Sequence, residues 1–507
     1  VLAAILSATL LGVEGHRVTV EVHVSNALPS FTIVGLPDEV CREARDRVRA
    51  AVMSSGYPWP SKKVTVNLAP SSQRKVGAGL DLAIAIGVLV ADDVIPGDAV
   101  ARYGFVGELG LDGSLRPVAG MAPMVAALGN VQPVVPVASR HEAEVISDHP
   151  VAVGRTLRDV VEALKGEAPW PTPPVDTIVD EVVAVPDLAD VRGQPLARQA
   201  LEVAAAGGHH LLFVGPPGSG KTMLAQRMPG LLPPLAPQVS LVATMVHSAA
   251  GVRLPSGALI SRAPFRAPHH TSSIVALVGG GTAALRPGEI SLAHGGVLFL
   301  DELGEFSPAV LDGLRQPLEE GVVRVARARA SATLPAQFLL VAATNPCPCG
   351  GGAPGSCECD DGARSRYLRR LSGPLLDRFD LRVPVHRPGV DELLVGEGGE
   401  SSAVVAARVA VARQHALERN GSLNAAIPAA LLDSLAPLEA AAQKLLRTEL
   451  EHDRLTGRGY HRVRRVARTL ADLDPEAGVD DIVRAQHVSM ALQFRVRLSP
   501  LLRGRAA

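Results

Sequence analysis

The chain has 507 residues, 47% of them apolar, with a formal net charge of −1. That length exceeds what one hydrophobic core organises, so two or three domains are expected. The near-neutral balance excludes a globally basic nucleic-acid binder and leaves only local patches for such contacts.

Residues 1–166 open with alternation. Val18, Val20, Val22 and Val24 point one way while Thr19, Glu21 and His23 point the other, and KVTVNL at 63–68 repeats the pattern. Period-two runs predict strands with one buried face. EVCREARDRVRAAVMSSG between them predicts a helix ending at Gly56, giving an α+β unit. The apolar start lacks a basic leader and a cleavage site, and no stretch reaches the ~20 apolar residues of a membrane span. A cytoplasmic protein without membrane contact is expected. EAPWPTPPVDTIVD lies in 167–186, where proline denies pairing to helix and sheet and predicts a linker.

From 187 to 388 the texture changes. LLFVG (211–215), VLFLDE (297–302) and FLLVAATN (338–345) are apolar runs that end in polar residues. Strands buried on both faces of a parallel sheet have this form. Their carboxyl ends are where open α/β sheets bind ligands. Residues 389–507 are Ala-, Leu- and Arg-rich with helical spacing, which predicts a helical domain.

GPPGSGKT matches the phosphate-binding loop pattern, with Gly215, Pro216, Pro217, Gly218, Ser219, Gly220, Lys221 and Thr222 in register. Glycines let backbone N–H groups curl around phosphate oxygens, and the following helix adds its positive end. Lys221 reaches the β- and γ-phosphates, and the Thr222 hydroxyl ligates Mg²⁺. Asp301 and Glu302 follow the next apolar run: the first is placed to hold the Mg²⁺ hydration shell, the second to orient or deprotonate water. Asn345 ends the third run, within reach of a γ-phosphate or attacking water, and is equally a turn residue before Pro346. Arg378, in GPLLDRFDLRV, suits a subunit boundary or a surface ion pair with Asp377 or Asp380; spacing does not choose.

NPCPCGGGAPGSCECDDG places Cys347, Cys349, Cys357 and Cys359 as two C-x-C pairs within the loop 347–359. Four thiolates in a short loop suit tetrahedral Zn²⁺; reduced thiols are the alternative. RVARARASA predicts a hairpin whose Arg324, Arg327 and Arg329 are candidate contacts for DNA phosphates. RSRYLRR and RLTGRGYHRVRR concentrate positive charge too, and an ordinary solvated face is the alternative for each. FRAPHHTSS reads as a turn or cap in which hydroxyls satisfy the backbone.

GQPLARQALEVAAAGGHHLLFVGPPGSGKTMLA, FRAPHHTSS, PGEISLAHGGVLFLDELGEF, ATNPCPCG and SGPLLDRFDL together resemble the magnesium-chelatase-like AAA+ ATPases, most closely the ComM/YifB type. VEVHVSNALPSFTIVGLPDEV and VTVNLAP extend the resemblance over nearly the whole chain. It implies a multidomain α/β fold: a Lon-protease-like α+β domain at 1–166, an AAA+ P-loop core at 187–388 and a C-terminal helical lid. It makes Gly215–Thr222 the Walker A loop, Asp301 and Glu302 the Walker B pair, Asn345 the first sensor and Arg378 an arginine finger. Arg458 becomes the second-sensor candidate, with Arg462 behind it. It further implies ATP, Mg²⁺, assembly into a homohexameric ring, and single-stranded or branched DNA as partner in branch migration and natural transformation.

Lon-type proteases need a Ser activated by a Lys. The matching positions here are Gly79 and Ala122, so peptidase activity is not expected. An ATP-driven protein remodeller related to magnesium chelatase is the principal rival to a DNA translocase.

Overall fold

The computed structural model describes residues 2–496 apart from 173–184, 256–257, 282–284, 328–329, 352–356, 361, 364–365, 368–370, 372, 390, 392–393, 395–397 and 476–481. Arg329, most of RSRYLRR and most of the Pro-rich stretch fall outside the described residues, as does the Arg327 side chain.

The amino-terminal unit is built on a mixed seven-stranded sheet. Its strands are β1 (Leu2–Leu11), β2 (Glu14–Ser25), β3 (Ser30–Val34), β4 (Lys63–Ala69), β5 (Tyr103–Phe105), β8 (Gln132–Pro136) and β9 (Ala152–Gly154). They lie in the order β3-β4-β2-β1-β5-β8-β9, and β6 (Glu108–Leu109) pairs with β7 (Leu115–Arg116) beside them. Val18, Val20, Val22 and Val24 all face the core, as their alternation predicts. They pack on the helix Glu39–Ser54, capped by Asp38, and on the fully buried helix Asp81–Ala91. The stretch read as a linker begins as a docked segment. The Trp170 ring packs 5.4 Å from that of Tyr103, and its Nε1–H donates to the Tyr103 hydroxyl. Burying an indole outweighs the tendency of flanking prolines to stay extended and solvated.

The second unit has five parallel strands in the order β11-β14-β17-β10-β18. They are β10 (Leu211–Val214), β11 (Phe265–Arg266), β14 (Val297–Leu300), β17 (Leu339–Thr344) and β18 (Leu381–Pro384). Short pairs β12 (Gly279–Gly280)/β13 (Arg286–Pro287) and β15 (Val322–Arg327)/β16 (Ala330–Pro335) flank the sheet, the latter being the expected hairpin. Leu211, Phe213, Val297, Phe299 and Val341 enter one core, while Leu212, Val214, Leu298, Leu300 and Leu340 enter the core on the other face. Both faces being covered explains the unbroken apolar runs.

Packing crosses the boundary at 388/389 that composition marks. The first core is continuous from Leu211 and Phe213 into Val409, Val463, Val488 and Phe494, so the carboxyl-terminal helices, including Ser402–Asn420, Ala440–Glu451 and Gly457–Leu473, share the sheet's core. A buried polar chain reinforces this seam. His209 Nδ1 lies 3.2 Å from Asp380 Oδ2, and its Nε2 lies 2.8 Å from Thr469 Oγ1. The amino-terminal unit docks on the other side. Gly120 N–H donates to Ser248 O, and Ala122 N–H donates to Glu142 Oε1 and Ser248 Oγ. Among the described residues no helix is long and apolar enough to cross a membrane.

His294 aligns two of the strands that carry the site. Its Nδ1 accepts the Gln337 N–H at 3.2 Å, joining the turn before β14 to the turn before β17. Burial pushes this imidazole down to about 4. Between that value and the unfolded value of about 6.5 the unfolded chain binds more protons than the native one. The contribution is therefore whole above about pH 6.5 and disappears as pH falls through about 4. Thermal midpoints are expected to fall over that window. His294→Asn keeps an acceptor near Nδ1 and cannot charge, so it should flatten the fall; an unchanged curve would contradict this account.

Candidate nucleotide site

The site forms where β10, β14 and β17 end. β10 stops at Val214, and Gly215 N–H donates to Thr344 O across to β17. A Cβ on Gly215 would stand 2.1 Å from the Val385 carbonyl oxygen, so only glycine fits beside that chain. The loop then turns back through Gly218 and Gly220, both at positive φ. Gln194 supports it from outside by donating to Ser219 O and His386 O. The helix that follows, Lys221–Ala225, is only five residues long. It starts where the sequence places it, directly after Gly220, and with few peptide dipoles aligned most of the grip falls to loop amides and Lys221.

Lys221 is 8% exposed, and its Nζ donates to Gly215 O and Pro216 O at 2.8 Å and to Asn345 Oδ1 at 3.2 Å. Burial pulls its pKa below the ordinary lysine value, while Asp301 and Glu302 push it back up. An anion beside it would relieve the desolvation cost directly. Thr222 Oγ1 donates to Asp301 Oδ2 at 2.6 Å. Two oxygen donors held together beside a phosphate loop have the chemistry of a Mg²⁺ site. Walker A, Asp301 and Asn345 are thus brought together from three separate strand ends.

Glu302 adopts φ 50°, a left-handed conformation that costs a non-glycine residue roughly 1–2 kcal/mol. Its carboxylate Oε2 lies 3.3 Å from His270 Nδ1. His270 follows β11, the strand next to β14, and stacks against His269 with ring centroids 4.1 Å apart. FRAPHHTSS begins as β11 (Phe265–Arg266) and turns only at His270–Thr271, while Ser273 caps the helix Ile274–Val278. The contact with Glu302 is new, because it depends on β11 and β14 being neighbours. Tyr367 supports the same corner: its hydroxyl lies 3.0 Å from Thr344 Oγ1, and its ring leaves no room for a Cβ on Gly304.

Arg378 and Arg458 lie elsewhere. β10 and β18 run parallel with Leu211 opposite Leu381 and Val214 opposite Pro384. The phosphate loop follows one end of this pair and Arg378 precedes the other, separated by on the order of 13 Å of strand. Arg378 pairs with Glu319 rather than with Asp377 or Asp380. Arg382 takes Asp377, and Arg462 and His209 take Asp380. Burial first, then the charges of Arg462, Arg458 and Arg315, lower the Arg378 pKa. Arg458 is one turn before Arg462 on the helix Gly457–Leu473 and belongs to this cationic cluster. The length of the β10/β18 pair sets Arg378 away from the phosphate loop of its own chain.

Three of the four cysteine sulfurs, those of Cys347, Cys349 and Cys357, stand 3.4–3.6 Å apart, and all four lie within 4.8 Å of one another. The Gly351 N–H, followed by the Cys359 thiol, holds the Cys349 thiol down to about 6. Arg324, on β15, is exposed and pairs with Glu320. Gly79 and Ala122 bring no nucleophile or base; the Ala122 backbone is engaged in docking. Nearby Lys75 spends its ammonium on the carbonyls of Pro70 and Gln73.

Family models cover most of the chain. The one described as magnesium chelatase, subunit ChlI, matches residues 187–393; subunit ChlI of Mg-chelatase matches 20–138; and its ChlI C-terminal model matches 399–495. An uncharacterised protein of Mycobacterium tuberculosis is 44% identical over 96% of this chain and 97% of its own. The uncharacterised protein YifB of Escherichia coli and the competence protein ComM of Haemophilus influenzae are each 42% identical, over 97% of both chains. With its phosphate loop, acidic pair and strand-end asparagine gathered where three neighbouring parallel strands end, the chain belongs to the magnesium-chelatase-like AAA+ family, in its ComM/YifB group.

Proposed function

We propose that the protein is a Mg²⁺-dependent ATPase that assembles into a homohexameric ring in the cytoplasm and translocates along single-stranded or branched DNA. Its task is branch migration in recombination, including the incorporation of transforming DNA; one relative carries the name competence protein. The observation that carries this reading is the separation of Lys221, Thr222, Asp301, Glu302 and Asn345, at the carboxyl ends of the parallel strands, from Arg378, which precedes the amino end of β18 with Arg458 in its cationic cluster. In a head-to-tail ring one subunit's arginine edge meets the next subunit's phosphate loop.

Each residue then has a chemical task. Loop amides and Lys221 bind the phosphates. Thr222 and Asp301 would hold Mg²⁺, which would supply positive charge to offset that of the phosphates. Asn345 keeps Lys221 aimed and contacts the attacking water. Glu302 takes the water's proton once released from His270. Arg378, with Arg458, stabilises charge on the neighbour's γ-phosphate. Cys347, Cys349, Cys357 and Cys359 hold structural Zn²⁺. Arg324, on the hairpin strand β15, contacts the DNA backbone, and Arg327 and Arg329 are proposed beside it from the sequence alone. The amino-terminal unit, Lon-protease-like in fold and without the Ser/Lys dyad, serves docking and assembly.

The test is ATP turnover with and without single-stranded and branched DNA, with Lys221→Ala as the blank. Stimulation that weakens steeply between 50 and 200 mM salt is expected, on the order of the counterion release that phosphate contacts produce. ATPase activity indifferent to every DNA at low salt would overturn the DNA reading.

A further inference from the structure

The cysteine loop is not remote from the nucleotide site. Cys347 follows Asn345 by two residues, and Asn345 Oδ1 takes the Lys221 ammonium. Gly350 sits between the second and third ligands in a left-handed conformation, φ 77°. A Cβ there would stand 2.6 Å from Pro217 Cδ and 2.7 Å from Pro217 Cγ. The loop's backbone is therefore a wall against the Pro217 ring, inside the phosphate loop itself. On its carbonyl side Pro217 is held by Arg387, whose Nη2 and Nε donate to Pro217 O at 3.2 and 3.3 Å.

The four thiols have the geometry to keep that wall in place. Tetrahedral Zn²⁺ with Zn–S of about 2.3 Å sets the sulfurs about 3.8 Å apart. The separations here differ from that by a few tenths for three sulfurs and by no more than about 1 Å for the fourth. Outer support is present: Cys349 N–H donates to Cys359 Sγ at 3.4 Å, and Gly350 N–H donates to Cys347 O at 3.0 Å. Cys347 is buried, so the site is anchored in the protein at one corner and reaches solvent at Cys349.

We propose that Zn²⁺ bound by Cys347, Cys349, Cys357 and Cys359 braces the phosphate loop through Gly350 against Pro217, so that tight ATP binding requires the loaded cysteine site. Resting on the nucleotide-site reading above, this adds metal control of its grip. Removing the metal takes away the bonds that offset the entropy of holding the four ligands together, and the wall behind Pro217 is loosened.

The experiment uses the full chain. Metal analysis of the purified protein is expected to give one Zn²⁺ per chain, lost in Cys349→Ser. Wild-type protein stripped with a zinc chelator, then assayed in excess Mg²⁺, should bind a fluorescent ATP analogue about tenfold more weakly. Added Zn²⁺ should restore affinity, and further Mg²⁺ should not. Gly350→Val should keep its zinc and still lose affinity, because its side chain pushes on Pro217; retained zinc shows that this variant is folded at the loop. Failure to bind Zn²⁺ at micromolar concentration overturns the proposal at its first step. Zinc binding whose removal leaves ATP affinity unchanged overturns the brace. No ATP binding by the zinc-loaded wild type would overturn the nucleotide-site reading along with it.

Discussion

Mixing two inactive variants, Lys221→Ala and Arg378→Ala, is expected to restore ATP hydrolysis that neither shows alone. Arg378→Ala by itself should reduce turnover by about 10³-fold or more, the scale of a lost arginine finger. The folded subunit should survive, because the Arg378–Glu319 pair is partly exposed and such pairs contribute at most about 1 kcal/mol. In a randomly mixed ring about a quarter of the joints combine an intact phosphate loop with an intact neighbouring arginine. Those joints should turn over. A mixture as dead as its components, or an Arg378→Ala chain that hydrolyses ATP normally, would show that no catalytic arginine crosses the joint.

The second large effect concerns Glu302. Glu302→Gln is expected to leave ATP affinity within about twofold while slowing hydrolysis by about 10²–10⁴-fold, the range for removing a general base. Lys221 keeps its contacts with Gly215 O, Pro216 O and Asn345, and Thr222 keeps Asp301, so the grip persists. Filter binding and single-turnover kinetics separate the two quantities. Equal losses of binding and turnover would make Glu302 part of the grip instead. The amide also retains an acceptor toward His270, so the left-handed turn at 302 should be preserved.

Both predictions rest on the placement of the phosphate loop and Arg378 at opposite ends of the parallel strands. A cationic cluster of Arg378, Arg458 and Arg462 is costly beside itself, and burial adds to the cost. Glu319 and Asp380 offset part of it within the chain. A neighbour's triphosphate would offset the rest, which makes association and nucleotide binding mutually reinforcing. At the opposite strand ends Glu302 has its own partner, His270 Nδ1 at 3.3 Å.

Local chemistry was readable without coordinates. Alternating valines at 18, 20, 22 and 24 declared a half-buried strand, and unbroken runs at 211–215, 297–302 and 338–345 declared strands covered on both faces. GPPGSGKT declared a phosphate loop, because the spacing of its glycines encodes backbone geometry within a few residues, and the acidic pair after the next apolar run fitted it; Asn345 alone stayed open between a site residue and a turn before Pro346. Other features depended on which strands became neighbours. His270 meets Glu302 only because β11 lies beside β14, and Pro217 meets Gly350 only because β10 lies beside β17. The shared core joining the sheet to the carboxyl-terminal helices likewise assembles residues from Leu188 to Phe494. Sequence alone determined the chemistry carried at each strand end, since a strand's periodicity and its terminal residues are local. Tertiary structure decided which ends met and which edge faced away, since sheet order is fixed by burial summed over the whole chain.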